Sequence, residues 1–303
     1  MRTVSVVYAI VFFMNSFGTN SNFSHELNSE MIMGSLATVR EVFRGFRSTI
    51  LERAGNTEYI SKQGDGSPVT DSDMEIEVAL QAEMKRLYPG MAVFGEETGY
   101  GDNMPDTYWL IDPIDGTKAF IEGIPSFTCM AVLIQNGEAA ASEIYNPTLD
   151  VGYSAQRGKG AYKTSYIDSV ERTEKIDLTD ATEMPMPSIA YCKKQFTEEL
   201  SNILQPQGVL CEEAPTGGGF GFTTVLDGIA AARFNLHPGG YTHDYAPGAL
   251  LVREAGGVLW PIRDDPNRSF EARSFIAAHP KLEFTEADLE KIRSWEKPLQ
   301  ETK

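Results

Sequence analysis

Three short acidic segments hold the residues of this chain that could carry out chemistry. Glu96 and the pair Asp112 and Asp115 each follow a short apolar run, and Asp244 precedes a long one. Carboxylate oxygens are the ligands that Mg²⁺ and Mn²⁺ prefer in proteins. Carboxylates at the ends of strands can converge at one edge of a sheet, so the three segments together predict a divalent-metal site.

The segment Asp112-Pro113-Ile114-Asp115 places two carboxylates three residues apart. Pro113 has no backbone N–H and favours an extended Asp112, so we expect the strand to stop there and the chain to turn over Ile114. The Ile114 carbonyl, freed from the sheet, would then be a further oxygen ligand. Asp-Pro and Asp-Gly pairs are also common turn formers, and the two aspartates alone favour a plain turn equally.

Gly116-Thr117-Lys118 directly follows the second aspartate and is predicted to begin a helical turn. The N–H groups at the start of a helix bind anions such as phosphate. Phosphoryl transfer needs cations and amide dipoles close to the transferred group. Cation ligands beside an anion-binding turn therefore indicate phosphoryl chemistry. Lys118 could reach a phosphate there or simply lie on the surface.

Hydrophobic periodicity predicts the elements that must position these groups in the first half of the chain. A long amphipathic helix is predicted at 27–54, and a second helix opens at a capping box of Ser72 and Glu75 and ends at Tyr88. An antiparallel meander with a hairpin turn at Asn136-Gly137 is predicted to follow. Its strands are 92–94, 108–111, 127–134, 139–145 and 151–155.

After Tyr162 the sequence becomes polar and irregular through about Met186, and we place a lobe boundary there. Beyond it strands alternate with helices, which is typical of a layered α/β arrangement. The predicted strands are 188–192, 209–211, 233–236 and 258–261, and the predicted helices are 197–204, 223–232, 245–255 and 286–295. The expected organisation is an N-terminal extension at 1–25, an α+β metal-binding lobe at 26–184 and a smaller α/β substrate lobe at 185–303.

The composition bounds the classes of protein and partner. The chain of 303 residues is 42% apolar and carries a formal net charge of −17, so disordered, collagen-like and coiled-coil classes are excluded. Such a field repels nucleic acid, and no basic run longer than two residues offsets it, so we expect no nucleic-acid polymer as a partner. An anionic substrate would need bound cations to attract it.

The cysteines and the N-terminus bear on the compartment. Three widely spaced cysteines do not form a disulfide framework, which favours a reducing, cytoplasmic setting. The apolar stretch 4–14 after Arg2 is too short to span a bilayer, and no membrane partner is expected. It could instead be the core of a signal peptide within residues 1–18, or an extension with no role in the fold.

Three motifs of this chain resemble, in order and spacing, the signatures of the inositol monophosphatase family. They are GEETG at 95–99, WLIDPIDGTKAF at 109–120 and HDYAPGALLVREAGG at 243–257, and the resemblance runs from about residue 30 to 295. It implies a five-layer α-β-α-β-α sandwich and a Mg²⁺-dependent, lithium-sensitive phosphatase. Two or three Mg²⁺ ions are implied, with Mn²⁺ as an alternative, and a homodimer is common among the family's members.

The resemblance also implies roles for individual residues. The metal ligands fall on Glu96, Asp112, the carbonyl of Ile114, Asp115 and Asp244. Thr117 and Asp73 match the pair that activates the nucleophilic water, Glu96 lies close to it, and Lys62 matches a lysine of the same site. The implied contacts of substrate or its phosphate are Gly116, Thr117, Lys118, Gly218 and His237, with a loose alignment around the glycine triplet 217–219.

Two departures from the family pattern concern the substrate. His243 replaces the usual tryptophan or tyrosine before Asp244, and His237 stands where inositol-specific members have a glutamate. We therefore expect a phosphomonoesterase of small soluble esters that uses a metal-activated water, with three substrates open: inositol or other sugar monophosphates, histidinol phosphate, and the 3′-phosphate of a nucleoside bisphosphate. A catalytically silent metal- or phosphate-binding protein is the alternative of another class, which the complete ligand set disfavours.

Overall fold

The computed structural model describes residues 27–62, 66–99, 104–180, 188–214, 217–236, 242–263 and 274–295. The N-terminal segment 1–25 and His237 lie outside the described residues. The helices of the described part are α1 (Ser29–Gly45), α2 (Arg47–Arg53), α3 (Asp71–Leu87), α4 (Thr117–Glu122), α5 (Thr197–Leu204), α6 (Gly218–Leu226), α7 (Thr242–Glu254) and α8 (Glu286–Trp295). None of them has the length and apolar content that crossing a bilayer requires.

The first large sheet carries most of the site. Its strands are β3 (Ala92–Gly95), β4 (Thr107–Asp115), β5 (Thr128–Gln135), β6 (Glu138–Asn146), β7 (Val151–Gln156), β8 (Gly160–Ile167) and β9 (Val170–Ile176), and they lie in the order of the chain. The strands from β4 to β9 pair antiparallel, as the meander predicts, whereas β3 pairs with β4 in parallel. The parallel pairing places the ends of β3 and β4, and the acidic residues that follow them, at the same sheet edge.

The second large sheet mixes parallel and antiparallel strands. It has the order β11-β10-β12-β14-β13, and the parallel pairs are β10 with β11 and β10 with β12. Its strands are β10 (Ser188–Cys192), β11 (Val209–Glu213), β12 (Ala232–Asn235), β13 (Val258–Arg263) and β14 (Ser274–Ala278). A short antiparallel pair, β1 (Ile60–Ser61) and β2 (Pro68–Val69), stands apart from both sheets.

The described elements form five layers, so the expected α-β-α-β-α sandwich is confirmed. Buried residues of α1 and α3 pack on one face of the seven-stranded sheet, around Trp109 and Ile111. Helices α6 and α7 lie between the two sheets, where Phe222 and Leu250 join the core. Helices α5 and α8 cover the far face of the five-stranded sheet. The division into lobes at 184/185 stays a prediction.

Several predicted elements differ from the observed ones. The single helix predicted at 27–54 is two helices that meet at Phe46, whose N–H donates to both Val42 O and Phe43 O in a tight turn. The capping box of α3 consists of Thr70 and Asp73, two residues earlier than predicted. This difference matters for the site, because the observed capping box binds the Asp73 carboxylate to Thr70 at the start of the helix.

The polar region predicted as irregular contains two strands, β8 and β9. Six of the seven residues of β9 are exposed, and this strand pairs only with β8 at the edge of the sheet. An edge strand exposed on both faces shows no apolar alternation, so periodicity cannot reveal it. Strand β14 was also missed, and helix α6 begins five residues before the predicted start at Thr223.

Candidate active site

Asp112 and Asp115 lie at a bulge at the end of β4. Asp112 pairs with Met130 and Asp115 with Thr128, so three steps along β4 oppose two steps along β5. The strand therefore continues to Asp115 through an irregularity, where the sequence predicted that it stops at Pro113. An extra residue in one strand re-aims its side chains. The two carboxylates approach each other in this way although they are three positions apart.

Asp115 is fixed by backbone donors from the second half of the chain. The N–H groups of Gly218 and Gly219, at the start of α6, donate to Asp115 Oδ1 and Oδ2 at 2.9 and 2.8 Å, and Thr128 Oγ1 donates to Oδ2 at 3.2 Å. A side chain at Gly219 would collide with Thr128 and Met130. The Gly218 N–H is therefore engaged by Asp115, and the expected contact of Gly218 with substrate or its phosphate stays a prediction.

Close packing of α6 against α7 brings Asp244 to the same place. Gly248 of α7 leaves room for the Phe222 ring, which any larger residue there would displace. A Cβ at Gly218 would lie 3.0 Å from Asp244 O, so the two helix starts touch. Ligand atoms of Asp112, Asp115 and Asp244 all lie within 4.8 Å of one another. A second group that meets the same limit consists of Glu96, Asp112 and His243.

Burial and mutual repulsion disfavour the charged forms of Asp112 and Asp115. Asp112 is 2% exposed, and its Oδ1 has no hydrogen-bond partner among the described residues. Burial raises the pKa of Asp112 well above its usual range, and the charges of Glu96, Asp115 and Asp244 add to the effect. A buried carboxylate oxygen without a donor is costly unless a cation satisfies it. The carboxylate oxygens of Asp112, Asp115 and Asp244 are ligands of the kind that divalent cations such as Mg²⁺ prefer.

Lys62 forms ion pairs with both Glu96 and Glu97. Its Nζ lies 2.5 Å from Glu96 Oε1 and 3.0 Å from Glu97 Oε1. Burial opposes the charge on Lys62, but the hydrogen bonds and charges of the two glutamates raise its pKa above the usual value. Burial raises the pKa of Glu97 to about 7 against the lowering by Lys62. Glu96 keeps its second oxygen, Oε2, directed toward His243.

Glu77 of α3 fixes the loop that carries these glutamates. Its buried carboxylate accepts from the N–H groups of Glu97 and Thr98, both at 3.0 Å. Gly95 is required beside it, because a Cβ at this position would overlap the Glu77 carboxylate. The Glu96 N–H donates to Ile111 O at 3.0 Å, which extends the β3–β4 ladder by one residue. The backbone of Glu96 is therefore held on two sides.

We expect Glu77→Ala to weaken divalent-ion binding by about 10- to 100-fold, the usual range for residues that support metal ligands. The change leaves two loop N–H groups unpaired and frees Glu96 to move. Isothermal titration calorimetry with Mg²⁺ measures the effect. Glu75→Ala is the matched control on the same helix, since Glu75 forms an exposed ion pair with Arg53, away from the loop that carries Glu96. Equal affinities for both variants would contradict the role of Glu77.

The expected water-activating pair, Asp73 and Thr117, makes local contacts. Asp73 Oδ2 accepts from Thr70 N at 2.8 Å and from Thr70 Oγ1 at 2.6 Å, and Thr117 Oγ1 donates to Ile114 O at 3.0 Å. Thr117 is thus bonded to Ile114 and not to Asp73. Burial raises the pKa of Asp73 to about 6 against the hydrogen bonds from Thr70. The Thr117 hydroxyl donates its hydrogen bond to Ile114 O, so its oxygen can accept a hydrogen bond from another donor.

Gly116 and Lys118 lie on either side of Thr117 at the start of α4. Gly116 caps this helix with a φ of 83°, and a Cβ there would lie 3.1 Å from Ser126 O, so glycine is required. The predicted helical turn after Asp115 is confirmed. Lys118 is exposed.

His243 is buried at the start of α7 beside two of these carboxylates. Its Nε2 lies 3.9 Å from Glu96 Oε2 and 3.6 Å from Asp244 Oδ1. Both separations exceed a hydrogen bond. Burial lowers the pKa of His243 to about 4 although the Glu96 charge opposes this, so the imidazole is neutral at pH 7.

The raised pKa values predict how pH affects stability without metal. Burial and the Asp244 charge raise the pKa of Asp115 to about 6 against the Gly218 and Gly219 N–H groups, and Asp112 shifts in the same direction. Because these folded-state values exceed the unfolded values near 3.9, the contribution to stability is complete below about pH 4 and is lost as pH rises through 6. In chelator, we expect the melting temperature to fall between pH 5 and 8.

Saturating Mg²⁺ should make this fall smaller, because bound cations favour the ionised carboxylates. Thermal melts at several pH values, with chelator and with Mg²⁺, measure both slopes. Parallel curves in the two conditions would contradict the assignment of these groups to a metal site.

Sequence reasoning missed three residues that shape the site, Glu77, Glu97 and Thr128. A signal for Glu77 is present, because it lies one helical turn after Asp73 on the face that also buries Ile76. An acid in phase with a buried stripe needs partners. Glu97 lies beside Glu96 in the motif at 95–99 but was given no role of its own, and Thr128 has no comparable local signal.

Comparisons with known proteins identify the family of this chain. The model of the inositol monophosphatase family matches residues 27–295. An inositol-1-monophosphatase of Mesorhizobium japonicum is 30% identical over 205 residues, covering 66% of this chain and 74% of the relative. A histidinol-phosphatase of Mycobacterium tuberculosis is 30% identical over 209 residues, covering 66% and 76%. The structure of an IMPase of Thermotoga maritima superposes with a TM-score of 0.65 at 20% identity, covering 88% of this chain and 97% of its own. This chain belongs to the inositol monophosphatase family.

Proposed function

We propose that this chain hydrolyses a small phosphate monoester with the help of two or three Mg²⁺ ions held at the acidic site. Members of the family are phosphoric monoester hydrolases, and metal dependence is a family property. The observation that carries the proposal is the convergence of Asp112, Asp115 and Asp244, from distant parts of the chain, with ligand atoms within 4.8 Å. Mn²⁺ has similar ligand preferences and could replace Mg²⁺.

The proposed ligands are Glu96, Asp112, the Ile114 carbonyl, Asp115 and Asp244. Asp112 is common to both groups of converging side chains and would be shared between ions. Bound divalent ions would neutralise phosphoryl oxygens and lower the pKa of a water molecule. Two backbone N–H groups hold the Asp115 carboxylate in place, so it would bind an ion without having to reorient.

The attacking water would be oriented by Thr117. The Thr117 hydroxyl donates to Ile114 O, so it can accept a hydrogen bond from the water. Glu96 offers Oε2 as a second acceptor while Lys62 holds Oε1. Asp73 would not contact the water but would act through its charge, which interacts with the charges of Glu96 and Lys62.

The phosphate would bind at the start of α4. The first N–H groups of a helix have no partner within the helix, and here they belong to Gly116 and Thr117. Lys118 is exposed at the same end and can approach a phosphate from solvent. These contacts recognise the phosphoryl group that all candidate substrates share. Residues of the second half of the chain would therefore have to recognise the alcohol part of the ester.

Histidinol phosphate is the second candidate substrate beside sugar and inositol monophosphates. The net charge of −17 repels an ester that carries only negative groups more than one that also carries an ammonium group, because the ammonium offsets part of the phosphate charge. The similarity to a histidinol-phosphatase supports the same choice. A nucleoside 3′,5′-bisphosphate, with more negative charge, is disfavoured by this argument. The homodimer and the absence of nucleic-acid and membrane partners stay predictions.

Phosphate release across a panel of monoesters tests the proposal. The panel comprises inositol 1-phosphate, a sugar phosphate, histidinol phosphate and adenosine 3′,5′-bisphosphate, each with Mg²⁺, with Mg²⁺ and Li⁺, and with chelator. We expect hydrolysis that Li⁺ inhibits and chelator abolishes. Activity undiminished by chelation would overturn the metal requirement. No activity on any ester would favour the silent binding protein.

A further inference from the structure

The group of Glu96, Asp112 and His243 differs from the all-oxygen group beside it, because it contains a nitrogen atom. Ligand atoms of the three residues lie within 4.8 Å of one another. The imidazole is held inside the fold, 1% exposed, at the first turn of α7.

The distance from the imidazole to Glu96 suits two ligands of one ion better than a hydrogen-bonded pair. His243 Nε2 is 3.9 Å from Glu96 Oε2. Two atoms bound to one octahedral ion at about 2.1 Å are about 3 Å apart when adjacent and about 4 Å apart when opposite. The observed distance falls between these limits and exceeds the usual hydrogen-bond length.

An independent observation points to a cation in this group. Asp112 Oδ1 is buried and has no hydrogen-bond partner among the described residues. Lys62 lies at Oε1 of Glu96. Asp112, with its unpartnered oxygen, offers a ligand atom within 4.8 Å of those of Glu96 and His243, so the three residues can hold a cation together.

We propose that His243 is a nitrogen ligand of the divalent cation bound by Glu96 and Asp112, and that it raises the affinity of this position for first-row transition ions more than its affinity for Mg²⁺. Imidazole binds Zn²⁺, Fe²⁺ and Co²⁺ well, whereas Mg²⁺ prefers oxygen ligands. The group of Asp112, Asp115 and Asp244 contains only oxygen and stays suited to Mg²⁺. This inference rests on the proposed function, since it assumes that the acidic site binds metal.

Pulsed electron paramagnetic resonance of the full chain with bound Mn²⁺ tests the nitrogen ligand directly. We expect a ¹⁴N coupling that becomes a ¹⁵N coupling when only histidine is labelled with ¹⁵N. The coupling should be lost in His243→Gln and in His243→Trp, which restores the aromatic residue usual in the family. His279→Gln is the matched control and should retain it. The labelled wild-type chain gives an answer even if a variant fails to fold.

Calorimetry with Co²⁺ and Mg²⁺ measures the preference. His243→Gln should weaken Co²⁺ binding by at least about 10-fold and Mg²⁺ binding by less than about 3-fold, because one nitrogen ligand is lost and no carboxylate. Bound Mn²⁺ without a nitrogen coupling, or a coupling that survives in both His243 variants, would overturn the inference and leave a Mg²⁺-dependent phosphatase in place. Failure of all these ions to bind would overturn the proposed function as well.

Discussion

Asp115→Asn should lower kcat by about 10³-fold or more while the protein stays folded. A bound divalent ion supplies several kcal/mol of transition-state charge stabilisation, which is lost when a ligand no longer holds the ion, and each 1.36 kcal/mol corresponds to a factor of ten in rate. Asparagine has almost the same shape but no charge. Its NH₂ group cannot accept a hydrogen bond, so one of the Gly218 and Gly219 N–H groups also loses its partner. Phosphate release and circular dichroism measure the two quantities.

Asp106→Asn is the matched control for this variant. Asp106 is exposed and immediately precedes β4, at the other end of the strand that carries Asp115. The same chemical change there should leave kcat unchanged. A variant at 115 that retains most of its rate would remove this residue from the ligand set. An unfolded variant would be replaced by Asp115→Glu, which keeps the charge and moves it by one methylene group.

Removal of divalent ions should abolish turnover and lower stability together. A ligand at 100 times its Kd stabilises the folded state by about 2.7 kcal/mol. For a chain of this size that energy corresponds to roughly 5 °C in melting temperature. The effect is largest where like charges are buried together, and the carboxylates of Asp112, Asp115 and Asp244 are such a group. Calorimetric melts with Mg²⁺ and with chelator give the shift.

The Mg²⁺-dependent rise in melting temperature supports the proposal only if the stabilising ion is bound at the acidic site. In Asp115→Asn most of the Mg²⁺-dependent stabilisation should disappear, whereas Asp106→Asn should retain it. A wild-type melting temperature that is the same with Mg²⁺ and with chelator would contradict the account. A shift of full size in Asp115→Asn would locate the stabilising ion elsewhere.

The motifs predicted which residues meet but not how they are held. The spacing of Asp112 and Asp115 suggested two converging carboxylates, and the structure brings them together through a bulge that no local pattern announces. The backbone donors to Asp115 come from residues 103 and 104 positions later in the chain. Contacts between such distant parts depend on the packing of α6 and α7, which periodicity does not describe.

Glycine-rich and edge segments set the other limit on sequence reasoning. Helix α6 begins at Gly218 and Gly219, residues with poor helix propensity. Their hydrogen bonds to Asp115 and the burial of Phe222 decide the conformation there. Helix α8 was predicted with its observed bounds, Glu286–Trp295, because its buried Leu289 and Ile292 follow the helical period.

Anomalous diffraction from crystals grown with Mn²⁺ and inorganic phosphate tests the central claim most directly. The account predicts Mn²⁺ peaks about 2–2.5 Å from carboxylate oxygens of Glu96, Asp112, Asp115 and Asp244, with the phosphate between these ions and the start of α4. Manganese bound elsewhere on the molecule, with these four carboxylates in contact only with the protein, would contradict it.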